Sequence, residues 1–308
     1  MNNLFKSIIF ITIFIFLYYF FSYLLLPKSN IHEFGLIKTS QFEILGENKN
    51  SVDAIIVGDS LVYSSVIPME IYGEFGYTVF NCAESAVIVP RAFSYYKVAM
   101  ESQHPKVVIL GGNMFFRDTN KRKWYKKYEH IIKNALPLLN YHNNWKKIFL
   151  DNDITSIQKG YKLNKNIKPS KHIEYMKENN KEYPMINKNL EYLKKFISLA
   201  KKYNAKLFVV GFPSQNTWND QRDRKFKELS QELDFTFIDL NKENIDINWE
   251  IDTKDKGGHL NYYGALKASK VIGNILKDTS LLVDHRRDNN YKNWNIAYAK
   301  YKEEVEKN

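Results

Sequence analysis

The sequence predicts a doubly wound α/β domain built on a parallel sheet of about five strands. Five short apolar runs, at 54–57, 77–82, 106–110, 205–212 and 235–240, have the length and the Val, Ile and aromatic content of buried strands. The segments between them carry apolar residues at helical spacing, so strand and helix alternate. Three of the runs also stop abruptly, at Gly58-Asp59-Ser60, Gly111-Gly112-Asn113 and Pro213-Ser214. The carboxyl ends of such strands are where an open parallel sheet places ligands.

Taken in order, the chain begins with 21 uncharged residues, 7–27, between Lys6 and Lys28. At about 1.5 Å per residue they span a hydrocarbon layer of about 30 Å. The run exceeds the roughly 7–15-residue apolar core of a signal peptide, and no small-x-small cleavage site follows it. Residues 1–30 are therefore expected to be a single-pass anchor, with 7–27 in the lipid bilayer. Lys6 and the amino terminus face Lys28 and Lys38 across the span, which does not fix its direction. Residues 31–50 read as a polar linker and 51–279 as the α/β domain.

Within that domain the first strand, 54–57, breaks at Gly58 and puts Ser60 just beyond its end. Asp59-Ser60 is also a good helix cap, and these residues alone leave both readings open. A helix is expected over 65–75, with Pro68 in its first turn. Another, over 90–102, aligns Ala92, Tyr95, Tyr96 and Ala99. Residues 187–203 are amphipathic through Leu190, Leu193, Phe196, Ile197 and Ala200. A helix over 219–233 precedes the fifth strand. A Gly-rich turn from Asp252 to Asn261 then leads into a helix at 262–276, striped by Ala265, Ala268, Val271, Ile272 and Ile275. The tail, 280–308, is charged and dotted with Tyr and Trp, suited to a peripheral helix or to partial disorder.

The rhythm breaks at 117–184, which holds 16 Lys and Arg against 7 Asp and Glu, most of the chain's net charge of +11. Trp124, Tyr125, Tyr128, Tyr141, Trp145, Tyr161 and Tyr175 lie among them. This insertion is expected to be helical. It reads as a lid with inward aromatics and solvated lysines, or as a contact for a bilayer or an anionic glycan. The charge suits phospholipid or a teichoic-type polymer, although the Lys and Asn usage of an AT-rich coding sequence gives the same excess. No RRM-, HTH- or OB-like motif points to nucleic acid, which is not expected as a partner.

Chemistry is signalled by Ser60, Asn113 and His259, each at a strand end or just before a helix. A serine hydroxyl needs an adjacent base, usually His, oriented by a carboxylate. Acyl transfer also needs donors for the developing oxyanion. The remaining histidines, His32, His104, His130, His142, His172 and His285, are scattered without metal-ligand spacing, so no metal is expected. The single Cys82 permits no intrachain disulfide. Neither a Gly-Lys-Ser/Thr phosphate loop nor a Gly-x-Gly-x-x-Gly opens a helix, and no cofactor is expected.

Gly58-Asp59-Ser60-Leu61, Gly111-Gly112-Asn113 and the Asp-to-His259-Leu260-Asn261 turn together resemble the SGNH (GDSL) hydrolase family. A basic, anchored chain with Gly258-His259-Leu260-Asn261-Tyr262-x-Gly264-Ala265 is similar to its cell-envelope acyltransferase branch, which includes D-alanyl transfer and polysaccharide O-acetylation accessory proteins. The likeness covers roughly 50–115 and 185–277. It implies a flavodoxin-like SGNH fold with Ser60 as nucleophile and His259 as base. Asp255 is the implied acid partner and Asp252 the fallback, because position 256, where the family places Asp, is Lys. Oxyanion donors would be the N–H of Ser60, the side chain of Asn113 and the N–H of Ala86 or Ser85. The family's Asn-x-Gly-x-x-Gly reads here Asn81-Cys82-Ala83-Glu84-Ser85-Ala86, so alanine stands where a left-handed backbone would favour glycine.

The expected function is thus a membrane-anchored, extracytoplasmic serine esterase or O-acyltransferase. It would move an acetyl- or alanyl-like group to or from a cell-envelope polysaccharide, with a membrane O-acyltransferase as a partner. The alternative is a catalytically weak binding or assembly module of an envelope-glycan complex.

Overall fold

Side chains alternate across each strand, and here both faces are covered, so the strands read as continuous apolar runs. The computed structural model describes residues 3–25, 43–117, 136, 138, 156–171, 173–178, 184–243 and 245–307. Five parallel strands, β1 (Ala54–Gly58), β2 (Val79–Ala83), β3 (Val107–Gly111), β4 (Lys206–Gly211) and β5 (Thr236–Asp239), form one sheet in the order β2-β1-β3-β4-β5. All four pairings are parallel.

Ile55 and Val57 of β1 point into one core, with Phe80, Val108 and Val209 from the neighbouring strands. That core is closed by α4 (Val89–Gln103), α5 (Asn187–Lys202) and Phe226 of α6 (Asp220–Leu233). Ala54 and Ile56 point the other way, into a core closed by α2 (Ser60–Ser65), α3 (Pro68–Phe75) and α7 (Tyr262–Asp278). The helix expected at 65–75 forms as α3, opening at Pro68, and a separate short helix, α2, precedes it. Val66 and Ile67 leave the helical region before Pro68, whose ring disfavours helical backbone in the residue preceding it.

Two glycines let α2 settle against the sheet. A Cβ on Gly58 would lie 2.5 Å from a Val62 methyl, and one on Gly111 would lie 2.8 Å from the same methyl. The ends of β1 and β3 can therefore both pack beneath one valine.

The apolar N-terminal helix α1 (Asn3–Leu25) is long and apolar enough, by composition, for a membrane anchor or a signal sequence. The tail is ordered where described. Its helix α8 (Lys292–Lys307) buries Trp294 and Tyr301 in the first core, beside Tyr72 of α3. Most of the expected insertion, including Trp124, Tyr125, Tyr128, Tyr141 and Trp145, lies outside the described residues. Its described stretch, 156–171, has no helix, and the expectation of a helical insertion falls mainly on residues outside the described ones. Instead the Lys159 carbonyl accepts from Asn81 N at 2.9 Å, covering the outer edge of β2.

Lys159 joins this stretch to the linker. Its ammonium lies 2.7 Å from the Glu47 carboxylate, both side chains fully buried, and 4.3 Å from the Trp294 ring centroid. Removing one member of such a pair strands the other charge. Lys159→Met is therefore expected to destabilise the chain by about 3–5 kcal/mol, and Lys159→Met/Glu47→Leu by less. Burial already raises the Glu47 carboxyl above its ordinary value. The single variant's deficit should accordingly be smallest below about pH 4.5 and grow as rising pH forces Glu47 to ionise. Urea unfolding of the full-length chain at several pH values checks this.

Candidate active site

Strand order decides which loops meet. β1 lies between β2 and β3, so the loops leaving their carboxyl ends, which carry Ser60, Ala86 and Asn113, are neighbours. This is also where successive connections leave in opposite directions, the crevice of a doubly wound sheet. Glu84 N donates to Gly58 O at 3.2 Å, tying the β2 loop to the β1 turn.

Ser60 is the first residue of α2, with Asp59 as its N-cap. Its hydroxyl lies 2.8 Å from His259 Nε2, although 199 positions separate them in sequence. His259 Nδ1 lies 2.5 Å from Asp255 Oδ2, and His259 N donates to Asp255 Oδ1 at 2.6 Å. One carboxylate thus accepts from both the ring and the backbone of the histidine. With the proton on Nδ1, the Nε2 lone pair is free to accept the serine O–H.

The loop that carries both residues is closed by a bridge between Thr253 and Leu260. Thr253 Oγ1 donates to His259 O at 3.0 Å and accepts from Gly257 N at 2.8 Å. The extra residue between Asp255 and His259 is absorbed by two successive left-handed residues, Lys256 (φ 62°) and Gly257 (φ 86°). Asp252, the fallback, points elsewhere. Its buried carboxylate accepts from Lys267 Nζ at 2.7 Å and Asn248 N at 2.8 Å, holding the loop base to α7.

Asn113 follows β3 in a short 3-10 turn, Gly112–Phe116, and is buried. Its Nδ2 donates to Asp59 Oδ2 at 2.6 Å, and its Oδ1 accepts from Arg222 at 2.5 Å. A carboxylate on one side and a guanidinium on the other fix the direction of the amide. The second Nδ2 proton is then the one available to an oxyanion. Arg117 reaches the same Asp59 oxygen at 3.0 Å, while the other Asp59 oxygen accepts from Leu61 N at 3.1 Å. Ala86 has φ 52°, the left-handed backbone that the family pattern assigns to glycine. For an L-residue with a Cβ this costs about 1–2 kcal/mol.

The structure therefore brings Ser60, His259 and Asp255 into one hydrogen-bonded chain. It places Asn113 and Ala86 in the loops alongside and leaves Asp252 outside the chain. Sequence reasoning missed the positioning of Asn113 by Asp59 and Arg222. Asp59 was visible only as a cap, and nothing local in the sequence pairs Arg222 with position 113. The described part of the 117–184 segment borders this site. Lys162 N donates to Tyr63 O at 3.0 Å, Lys168 N to Thr253 O at 3.0 Å and Tyr262 N to Asn164 O at 2.8 Å. A separate cavity of about 420 Å³ opens past β4 and β5, between Tyr175, Pro213, Leu240 and Trp249, and includes none of the five expected site residues in its lining.

No family model and no curated protein matches the sequence. Among solved structures the chain is similar to a lipolytic protein ascribed to the G-D-S-L family from Desulfitobacterium hafniense. Identity there is 9%, over 72% of this chain and 98% of that one, with a TM-score of 0.42. It is likewise similar to the lipase/acylhydrolase from Enterococcus faecalis, at 10% identity over 75% and 97% of the two chains (TM-score 0.39). The psychrotrophic esterase EstA from Pseudoalteromonas sp. is 12% identical over 74% and 95% (TM-score 0.38). At these scores the fold rests on the strand order and the site on its hydrogen bonds, independently of the likeness.

Asp59 caps a helix and pins two side chains at once. Asp59→Ala removes the cap, worth about 1 kcal/mol, and leaves Arg117 and Asn113 without their acceptor, about 1–3 kcal/mol more. The expected loss of about 2–4 kcal/mol is read by thermal or urea unfolding of the full-length chain.

Proposed function

We propose that this chain is a serine ester hydrolase or O-acyltransferase. The observation that carries the reading is the continuous relay from the Ser60 hydroxyl through His259 to Asp255. A free serine is a poor nucleophile at neutral pH, and this arrangement is the one that activates it.

Ser60 Oγ attacks the ester carbonyl carbon as its proton passes to His259 Nε2. Asp255 holds the ring in position and stabilises the imidazolium that forms. The carbonyl oxygen gains negative charge within reach of the Ser60 N–H, the first amide of α2, with Asn113 Nδ2 and the Ala86 N–H as further donors. Collapse of the tetrahedral adduct expels the alcohol, which leaves with the proton from Nε2, and the acyl group remains on Ser60. Water, or an acceptor hydroxyl, then gives its proton to Nε2, attacks the acyl-serine and restores the Ser60 hydroxyl.

For the finer reading, α1 as a membrane anchor would hold the domain at the outer membrane surface. The acyl group would move to or from a cell-envelope polysaccharide or teichoic-type polymer, with a membrane O-acyltransferase as donor. The basic 117–184 segment and the net charge of +11 support an anionic surface nearby. A binding or assembly module on the same fold is the outcome if the relay proves inert.

A fluorophosphonate probe, which traps an activated serine covalently, and 4-nitrophenyl acetate turnover test this. Labelling and turnover are expected in the wild type and absent in Ser60→Ala. They should fall by about a thousandfold or more in His259→Ala and Asp255→Asn. Asp252→Asn should lower thermal stability while its folded fraction still labels. A folded wild type that neither labels nor turns over would overturn the enzyme reading.

A further inference from the structure

The serine helix carries a charge arrangement that the relay does not use. Tyr63 lies three residues past Ser60 on α2. The Lys162 ammonium sits 4.2 Å from its ring centroid, and the Lys254 ammonium 5.8 Å from the same centroid. Lys254 also donates to the Ser64 hydroxyl at 2.8 Å. Ser64, four residues past Ser60, shares its side of the helix. Two ammonium groups thus converge on residues 63 and 64 of the helix that Ser60 begins.

Neither forms an ion pair with a carboxylate among the described residues. The carboxylates around the cleft are engaged elsewhere. Asp255 is bound by His259, Asp59 by Arg117 and Asn113, and Glu84 by Arg91 and Tyr95. Burial holds the half-buried Lys254 below the ordinary lysine range, with Asp255 opposing this and the repulsion of Lys162 adding to it. Across the cleft Arg222 backs Asn113, and among the described residues Asp255, hydrogen-bonded to His259, is the carboxylate whose charge reaches Lys254. Two ammonium groups beside one ring, against that single shared carboxylate, leave a net positive charge that favours an anion and disfavours a cation beside them.

We infer that Lys162 and Lys254 select the acyl group by charge: the cleft at Ser60 accepts a neutral acyl group, prefers one bearing a carboxylate, and rejects an aminoacyl group bearing an ammonium. This rests on Ser60 being the nucleophile. It favours acetyl- or succinyl-like esters over alanyl-like ones, a choice that the relay geometry leaves open.

The test uses the full-length chain in detergent micelles with 4-nitrophenyl esters of acetate, hemisuccinate and alanine. Each kcat/KM is divided by the ester's spontaneous hydrolysis rate. The hemisuccinate is expected to exceed the alanine ester by about a hundredfold, and the ratio should shrink at least about tenfold in Lys162→Gln/Lys254→Gln. Added salt should shrink the wild-type ratio in the same direction. Equal ratios in wild type and double variant, or a preference for the alanine ester, would overturn the inference.

If a folded wild type turns over none of the three, the enzyme reading fails instead. Calorimetric titration of succinate then decides about the lysine pair. Binding weakened at least about tenfold in the double variant supports it, and binding that is absent or unchanged overturns it.

Discussion

The Asp59 carboxylate is the joint on which the site depends. One of its oxygens caps α2, and so fixes where Ser60 begins its helix. The other receives Asn113 and Arg117. A single buried anion therefore sets the position of a hydroxyl on the β1 loop relative to an amide on the β3 loop. Burying a carboxylate is unfavourable unless it is paired and hydrogen-bonded, and here all its partners belong to the site or border it. Gly58 and Gly111 act in the same direction by steric means, since both strand ends share one Val62 methyl. Electrostatics and packing converge on the same interval between two parallel strands.

Much of the fold was legible because parallel strands buried on both faces leave unbroken apolar runs, and the helices beside them leave stripes. All five strands form within two residues of their expected bounds. The misreadings were those where local pattern and tertiary demand part. Pro68 opens α3 as expected, but Ser60–Ser65 forms a further short helix, α2, that apolar spacing had not marked. The tail looked marginal as an isolated segment, yet Trp294 and Tyr301 are buried against α3 and the returning 156–165 stretch. A segment's own composition does not disclose a partner more than a hundred residues away.

At the site, Ser60, Asn113 and His259 were legible as loop residues next to strand ends, and Asp255 as the nearer acid. The choice between Asp255 and Asp252 needed backbone geometry. Only the left-handed pair Lys256 and Gly257 turns the chain so that the acid faces the ring four residues on. Ala86 shows the opposite relation, since a glycine-bearing pattern counted against alanine there, yet the left-handed backbone is adopted despite the added Cβ. Arg222 was invisible, because a guanidinium on an amphipathic helix reads as an ordinary surface charge until the fold sets it against an amide.

The closeness of Asp255 and His259 in the chain has a mechanical corollary. Asp255 and His259 ride on one short turn, stapled internally by the Thr253 hydroxyl and by the bond from the histidine amide back to the carboxylate. Displacing that turn as a body would carry the imidazole and its counter-charge away together, with the tautomer preserved. What opens is the gap to the serine, the one joint in the relay that bridges two separate pieces of backbone. On the proposed reading, activity would depend on docking of a preassembled half rather than on assembly of its parts.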